Sequence, residues 1–515
     1  MYRNRELRRG AIAAKLAEHC KQGDAYLPLN ELLRLCLADD PALEKDVFLA
    51  DVDALSQSGF LRNENGRIYT AATLLGENTA ADCLAHILEL PKLDTVCVPE
   101  AIELENGICL TEEQRIAVSM GLSNRISMII GGAGTGKSTI IHAMKMWYHG
   151  FRFLALAPTG KAVRNLIEHG IIPAKTIHSA LGIKDADDDG DSIINWENIK
   201  MVCIDEVSMV TTRLLAMLLS KLDDSCKVVL LGDEQQLPPI GAGNIISDLC
   251  ALGIPHIRLL DNHRLHGDAH CLANNVVHYD EMLQRQDLKF GTSFDMIPVI
   301  DKLLADRVAK DAAEKIINHQ NVQVICPYNQ LTAVLNTKIR NIVNPPSINK
   351  YEIHYKSTAI RDEDRVFRDG DRVIITQNDR DRGVYNGDIG TLRILRNDEK
   401  NLRFSIIISK TRTILWCGQA AIEQCRHMLL AYAITVHRAQ GSEYDCVMMP
   451  IATWMKNMLT RNLFYTSISR AKQQMLLYGD PGAIDMALAN ELPARRSMLV
   501  NKVQNLLNDS FSMPV

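Results

Sequence analysis

The sequence predicts an α/β protein with two parallel-sheet lobes, a small β-barrel inserted in the second lobe and an α+β domain at the N-terminus. Three observations lead to this class. An apolar run from 126 to 130 breaks into a glycine-rich loop that ends in Lys137-Ser-Thr before a helical pattern. Further apolar strands end in polar residues, as strands do where open parallel sheets bind ligands. Residues 371–417 alternate apolar and polar positions in short runs, a pattern typical of a barrel.

Composition limits the class of protein. The 515 residues suit about three to four domains. The formal charge of −5 argues against a generally basic nucleic-acid binder. A nucleic acid would therefore have to bind at a local cluster of basic residues. The thirteen cysteines include no C-x-x-C pair, which indicates reduced cysteines and a cytoplasmic location. We expect no membrane partner, because the chain has neither a signal region nor a run long enough to span a bilayer.

The first 75 residues show helical spacing in three segments, followed by two brief strands around Asn63-Glu-Asn-Gly. This order predicts a winged-helix-like domain, and residues 76–109 read as a linking helix and connector. A DNA contact through this domain stays open. We favour a structural role or a protein partner, because its second and third helices and their connection carry acidic residues that would repel phosphate: Glu31, Asp39, Asp40, Glu44, Asp46, Asp51 and Asp53.

The glycine-rich loop fits the phosphate-binding pattern G-x-x-x-x-G-K-[ST] from Gly131 to Ser138. Its backbone amides converge on phosphates, the lysine reaches their outer oxygens, and the Ser138 hydroxyl is predicted to bind Mg²⁺. Upstream, Thr111 caps a helix, and Gln114 is a candidate for recognising the adenine edge. The predicted contacts to ATP in the loop are Gly132, Gly134, Thr135, Gly136, Lys137, Ser138 and Thr139.

Two later strands end in polar residues with predicted catalytic roles. The strand from Met201 closes in Asp205, a predicted Mg²⁺ ligand, and Glu206, which would orient the attacking water. The strand from Lys227 leads to Gln236, a candidate sensor of the γ-phosphate. Between them, residues 185–191 begin like a calcium loop. Because Trp196 stands where the bidentate glutamate should be, we reject calcium and predict an acidic hairpin insertion at about 183–198.

These motifs, in order, resemble the RecD-like branch of the superfamily 1 helicases. The match begins with Gly-Gly-Ala-Gly-Thr-Gly-Lys-Ser-Thr, Ala-Pro-Thr-Gly-Lys-Ala, Ile-Asp-Glu-Val-Ser-Met and Gly-Asp-Glu-Gln-Gln-Leu-Pro-Pro. It continues through Tyr-Ala-Ile-Thr-Val-His-Arg-Ala-Gln-Gly-Ser-Glu and Phe-Tyr-Thr-Ser-Ile-Ser-Arg-Ala-Lys. The resemblance implies RecA-like lobes at 110–255 and at 256–345 with 430–515, and an SH3-like insertion at 346–429.

The resemblance also assigns further site residues. Arg470, and less strongly Arg264, would enter the nucleotide site from the second lobe, since an arginine there stabilises transition-state charge. Arg264 is flanked by His263 and Leu265, which depart from the residues common in the family. Gly441 and Glu443 would contact ATP. The implied contacts to the nucleic-acid strand are Pro158, Thr159, His178, Thr435 and His437.

The resemblance implies a function: an ATP- and Mg²⁺-dependent DNA helicase that moves 5′-to-3′ on single-stranded DNA, meets duplex junctions and takes part in DNA repair and recombination. Two alternatives stay open. The chain could be a DNA-stimulated ATPase that remodels protein–DNA complexes or drives a larger assembly. It could also work on RNA, because stacking and phosphate contacts do not distinguish the sugars unless a 2′-hydroxyl is recognised.

Overall fold

The computed structural model describes residues 4–99, 109–148, 152–183, 194–260, 294–356, 365–379, 382–397, 401–409 and 411–512. The chain divides into two compact units. The first contains Met1–Pro158, Asn165–His263 and Pro493–Val515, and the second contains Thr159–Arg164 and Arg264–Leu492. Among the described helices, none combines the length and the apolar character needed to cross a bilayer.

The N-terminal domain is an α+β domain of winged-helix type. Three helices pack on a three-stranded antiparallel sheet of order β1-β3-β2, with Ile12, Leu16 and Phe48 in its core. The strand β1 was not predicted from the sequence. The elements are α1 (Arg5–Gln22), β1 (Tyr26–Pro28), α2 (Leu29–Asp39), α3 (Lys45–Gln57), β2 (Leu61–Glu64) and β3 (Arg67–Thr70).

Several acidic residues of this domain pair with cations of the same chain. The buried Asp51 carboxylate accepts hydrogen bonds from Arg8 and, at 2.9 Å, from Arg9. Asp39 pairs with Lys15 at 2.9 Å. The acidic pattern seen in the sequence is therefore partly explained by ion pairs inside the protein.

The first lobe is a six-stranded parallel sheet of order β6-β5-β7-β8-β4-β9, flanked by helices. Its strands are β4 (Ile126–Gly131), β5 (Phe153–Ala157), β6 (Ala174–Thr176), β7 (Met201–Ile204), β8 (Lys227–Gly232) and β9 (His256–Leu259). The helices in this part of the chain are α4 (Ala71–Glu89), α5 (Glu112–Ser123), α6 (Lys137–Lys145), α7 (Gly160–Glu168), α8 (Ile177–Ala180), α9 (Thr212–Leu219) and α10 (Ile245–Ala251).

The second lobe is a five-stranded parallel sheet of order β10-β21-β20-β11-β19. Its strands are β10 (Phe294–Pro298), β11 (Val322–Cys326), β19 (Ala433–Thr435), β20 (Tyr444–Ile451) and β21 (Ala471–Gly479). Its helices are α11 (Asp301–Ile317), α12 (Asn329–Val343), α14 (Val436–Ala439), α15 (Arg461–Ile468) and α16 (Gly482–Ala489). Both lobes are RecA-like, so the predicted fold class is confirmed.

The SH3-like insertion interrupts the second lobe between β11 and β19. An antiparallel sheet of order β17-β16-β15-β14-β18 encloses a core that includes Phe367, Phe404 and Trp416. The elements are β12 (Glu352–Tyr355), β13 (Arg365–Arg368), β14 (Arg372–Ile375), β15 (Ile389–Arg396), β16 (Arg403–Ser409), β17 (Arg412–Cys417), α13 (Gln419–Arg426) and β18 (Met428–Leu430).

Two boundaries differ from the sequence prediction. Residues 256–259 form β9 at the edge of the first lobe's sheet, although they were predicted to begin the second lobe. The last helix, α17 (Leu499–Ser512), also belongs to the first unit, where Leu499 and Val503 join the core of the first lobe. The reasons differ: β9 is held by parallel pairing with β4, whereas α17 buries apolar side chains on a surface built by distant parts of the chain.

Candidate active site

The carboxyl-terminal edge of the first lobe's sheet carries most of the predicted nucleotide residues. The strands β7, β8 and β4 are hydrogen-bonded neighbours in this sheet. Beyond their ends lie, in the same order, Asp205 with Glu206, the loop containing Gln236, and the phosphate-binding loop. Because the strands are parallel, residues far apart in sequence meet at one edge.

The phosphate-binding loop has the backbone that its glycines permit. Gly134 and Gly136 have φ angles of 84° and 86°, a left-handed conformation that side chains disfavour. The helix α6 follows at once and has no side-chain cap, so its first amides point to where an anion would bind. The Lys137 ammonium donates to the carbonyls of Gly131 at 2.6 Å and Gly132 at 2.8 Å, which holds its positive charge inside the loop.

Gln114 is buried and links α5 to the phosphate-binding loop. Its side-chain carbonyl accepts the Thr111 amide at 3.2 Å, completing a capping box in which the Thr111 hydroxyl accepts the Gln114 amide. Its side-chain amide nitrogen donates to the Thr135 carbonyl at 3.4 Å. This hydrogen bond connects Gln114 to the phosphate-binding loop. Contact between Gln114 and adenine remains a prediction.

Two carboxylates, Asp205 and Glu206, directly follow β7. Burial raises the pKa of the Asp205 carboxyl above its ordinary value, while the Lys137 ammonium and a hydrogen bond from the Glu206 amide oppose that shift. Glu206 has a φ angle of 53°, a left-handed conformation that is unusual for a residue with a side chain. Such strain persists where the surroundings impose it and is frequent at catalytic positions.

Gln236 is buried in the loop after β8. Its side-chain amide donates to the Asp233 carboxylate at 3.3 Å, and its backbone amide donates to the Asp233 carbonyl at 3.3 Å. The amide of Gln235 also donates to Asp233. This turn fixes the direction of Gln236 at the same sheet edge as Lys137 and Asp205.

The residues present fit a magnesium nucleotide. Mg²⁺ in such sites is held by one or two protein oxygen ligands, with phosphate and water oxygens completing the shell. Ser138, on the first turn of α6, and Asp205, at the end of β7, offer one hydroxyl and one carboxylate. No cluster of three or more His, Cys, Asp or Glu that could hold a metal alone occurs in the described ranges.

The predicted strand contacts of the first lobe follow β5 and β6. Pro158 and Thr159 come directly after β5, and the Thr159 hydroxyl accepts the Ala162 amide at 3.2 Å. After β6, the Thr176 hydroxyl accepts the Ser179 amide at 3.2 Å and so caps the single turn of α8. His178 is exposed on that turn. The geometry places these residues at strand ends, and their contact with nucleic acid stays a prediction.

In the second unit, Thr435 ends β19 and is buried, and His437 lies in the following turn α14. Burial lowers the pKa of the His437 imidazole. Gly441 has a φ angle of 68°, and the Glu443 carboxylate pairs with Lys472 at 3.4 Å. The predicted contacts of these residues with DNA and ATP stay predictions.

Arg470 is 3% exposed in the second unit. Its guanidinium donates to the Ser469 hydroxyl at 2.9 Å and to the Ser442 carbonyl at 3.4 Å. The other predicted arginine, Arg264, lies outside the described residues. Both catalytic assignments stay predictions.

Sequence reasoning missed two features around this site. The left-handed backbone of Glu206 has no signature, because the residue types around it do not require it. Arg495 contacts the carbonyls of Pro239, Gly241 and Gly243, only a few residues beyond Gln236. No motif marks this arginine in the C-terminal segment, so its position was accessible only from the structure.

Comparisons with known protein families agree with this geometry. The AAA domain family matches residues 109–288, the SH3 domain of ATP-dependent RecD-like DNA helicases matches 335–405, and the UvrD-like helicase C-terminal domain matches 430–478. These matches follow the chain in the order of the first lobe, the insertion and the second lobe.

Individual relatives that match this chain also carry the name RecD. An ATP-dependent RecD2 DNA helicase of Deinococcus radiodurans is 26% identical over 496 residues, covering 91% of this chain. The chain spans 63% of the length of that relative. A RecBCD enzyme subunit RecD of Buchnera aphidicola is 22% identical and covers 77% of both chains. The fold resembles a Bacteroides Pif1 crystal structure, with a TM-score of 0.50 and 19% identity over 75% of this chain and 95% of that one.

The ordered motifs, the two RecA-like lobes, the SH3-like insertion and the three family matches agree. The chain is therefore similar to the RecD-like DNA helicases in its motifs, its two lobes and its inserted domain.

Proposed function

We propose that the chain hydrolyses ATP–Mg²⁺ and uses the energy to move along single-stranded DNA and to separate strands. The observation that carries the proposal is the single sheet edge that holds Lys137, Asp205 and Glu206 together with the uncapped first turn of α6. A cation, a metal ligand and a candidate base at one edge are the parts that phosphoryl transfer to water requires.

The proposal gives each of the other site residues a role in binding Mg²⁺, activating water or contacting DNA. Ser138 and Asp205 would hold Mg²⁺, which neutralises charge on the phosphates when bound. Glu206 would accept a proton from the attacking water, and Gln236 would contact the γ-phosphate. The proposed contacts to the DNA strand are Pro158, Thr159 and His178 in one lobe, with Thr435 and His437 in the other. We infer 5′-to-3′ movement from the family resemblance.

The first experiment measures steady-state ATP hydrolysis with and without single-stranded DNA, beside displacement of duplexes that carry a 5′ or a 3′ overhang. Lys137→Ala tests the site and is expected to lower kcat by ~10²–10³, because it removes a charge that stabilises the transition state. The matched control is Lys145→Ala at the other end of α6, where the ammonium donates to the Gly170 carbonyl. We expect this control to keep its activity.

The outcomes separate the candidate functions. Stimulation by DNA with opening of only the 5′-tailed duplex supports the helicase and its polarity. Stimulation without displacement supports a remodelling or motor subunit instead, a role favoured by the relatives named as subunits of RecBCD enzymes. Stronger stimulation by RNA than by DNA supports the RNA alternative. Hydrolysis that survives Lys137→Ala contradicts the assigned site.

A further inference from the structure

The chain leaves the second unit at Leu492 and returns to the first unit, where residues 493–498 form a return segment between the N-terminal domain and the first lobe. The Arg496 amide donates to the Asp24 carboxylate at 2.9 Å, and the Arg496 carbonyl accepts the Ala25 amide at 2.8 Å. Its guanidinium also pairs with Glu31 at 2.9 Å. The return segment is thus fixed to the N-terminal domain mainly through its backbone.

Within this segment, Arg495 holds the loop that follows Gln236. One guanidinium nitrogen donates to the Gly241 carbonyl at 3.0 Å and to the Gly243 carbonyl at 2.9 Å. The other donates to the Pro239 carbonyl at 2.9 Å. The planar guanidinium of Arg495 therefore donates to three carbonyls on alternate residues. A lysine ammonium does not reproduce this geometry.

The N-terminal domain holds the same loop by its backbone. The amides of Gly241 and Gly243 donate to the carbonyls of Lys21 at 3.1 Å and Gly23 at 3.0 Å. Gly23 has a φ angle of 122°, and a β-carbon there would lie 2.2 Å from the Arg495 side chain. Only glycine therefore lets the N-terminal domain and Arg495 approach the loop together.

The loop has little means of fixing itself. Gly241 and Gly243 have φ angles of 128° and 108°, and glycine restricts the backbone least of all residues. A cavity of about 210 Å³ lies beside the loop, with Thr212, Gly241 and Ala242 in its lining, so the loop has space to move into. At the other end, Pro238 and Pro239 form a stiff connection towards Gln236.

We propose that Arg495 is a positioning residue for Gln236, and that docking of the N-terminal domain and the return segment on the loop 239–243 sets the nucleotide-sensing geometry of the first lobe. This inference rests on the proposed ATPase function and deepens it. It makes the far end of the chain a requirement for efficient hydrolysis, although Arg495 is about 260 positions from Gln236 in the sequence.

The test replaces Arg495 by methionine in the full chain and measures kcat and KM for ATP at saturating single-stranded DNA. We expect kcat to fall by ~10- to 100-fold, because a small displacement of a catalytic group is costly, while KM changes by less than about twofold. Arg495→Lys keeps the charge but loses the pair of guanidinium nitrogens that donate to the loop carbonyls. Its kcat should therefore lie between those of Arg495→Met and the original chain.

Arg496→Met is the matched control. It removes the side-chain ion pairs with Glu31 and Asp24 but keeps the bonds of its backbone to Asp24 and Ala25. None of the described hydrogen bonds of Arg496 goes to loop 239–243. We expect its kcat to stay within about twofold of the original chain, since exposed ion pairs contribute little.

A double-mutant cycle separates positioning from a general structural role. If Arg495 acts through Gln236, Arg495→Met should change kcat by less than about twofold in a Gln236→Ala background. Gly23→Ala offers a second route, since the added β-carbon displaces the arginine without removing it. It should reproduce the loss of kcat even if Arg495→Met does not fold.

The results distinguish this inference from the function beneath it. An Arg495→Met chain with unchanged kcat, or equal losses in the presence and absence of Gln236, overturns the positioning role while ATP hydrolysis stands. An original chain without Lys137-dependent hydrolysis overturns both. A selective loss of kcat that disappears in the Gln236→Ala background supports the inference.

Discussion

The two lobes repeat one short element at the edge of their sheets and use it differently. In the first lobe, Thr176-Ile-His178 leaves β6, and in the second, Thr435-Val-His437 leaves β19. Each threonine ends a strand and each histidine lies on the helical turn that follows. Local sequence therefore produces the same backbone twice.

The surroundings of the repeated element differ. The Thr176 hydroxyl caps its helical turn, and His178 is exposed. Thr435 makes no side-chain cap, and burial lowers the pKa of His437. The comparison teaches that the strand-to-helix turn is encoded locally, whereas the chemistry of its side chains depends on what packs around it.

Left-handed backbone occurs beside both sheets. It is found at Gly441 in the second lobe and at Gly134, Gly136 and Glu206 in the first, and of these only Glu206 carries a side chain. Beside its own sheet, the second lobe offers Arg470, buried and held by neighbouring hydroxyl and carbonyl oxygens. The first edge is suited to phosphate and metal, whereas the second carries a buried, hydrogen-bonded guanidinium.

The largest expected effect on ATP hydrolysis comes from replacing Arg470 in the second lobe. Arg470→Lys keeps the charge but loses the fork of donors, and we expect kcat for ATP to fall by ~10³ if the arginine stabilises the transition state. The control is Arg461→Lys at the start of α15 in the same lobe. A lowered unfolding temperature with unchanged kcat would mean that Arg470 is only structural.

The next effect concerns the first lobe. Glu206→Gln removes the candidate base but keeps the shape of the side chain, so kcat should fall by ~10² while binding of a fluorescent ATP analogue is retained. Glu234→Gln, which loses only the pairing with Arg258 seen at 3.1 Å, is the matched control. Equal rates in both variants would remove Glu206 from the mechanism.

Acid should stabilise the first lobe through Asp248. Burial raises the pKa of this carboxyl to about 6, with the nearby Glu77 carboxylate adding to the shift and Ser497 opposing it. Because the folded form binds the proton more tightly, its stabilising contribution is present at low pH and is lost as the pH rises through about 6.

Asp248→Asn should therefore raise stability at pH 8 by about 1 kcal/mol and have almost no effect at pH 4. Thermal unfolding at the two pH values measures this difference. An effect of the same size at both would contradict the assignment.

The smallest effect sharpens the comparison of the repeated element. Thr176→Val removes a helix cap and should cost about 1 kcal/mol, whereas Thr435→Val removes no cap and should cost less. Thermal unfolding of the matched pair, scanned at one pH, gives both shifts. A larger loss for Thr435→Val would show that its buried hydroxyl has a partner more important than the cap.

The sequence by itself determined the fold class and the place of the predicted nucleotide residues at the strand ends. Glycines at fixed spacing, carboxylates after apolar strands and the repeated threonine–histidine pairs are local signals. Parallel strands then bring their ends to one edge, so these signals were sufficient to group Lys137, Asp205 and Gln236. The order of lobes and insertion followed from periodicity and from the family resemblance.

Only the tertiary structure decided where the N-terminal and C-terminal segments pack and which residues they contact. It placed β9 and α17 in the first unit, paired acidic residues of the N-terminal domain with cations of the same chain, and put Arg495 on the loop beyond Gln236. These contacts join residues far apart in sequence. Their free energy depends on surfaces that exist only after the chain has folded, so no local pattern could have predicted them.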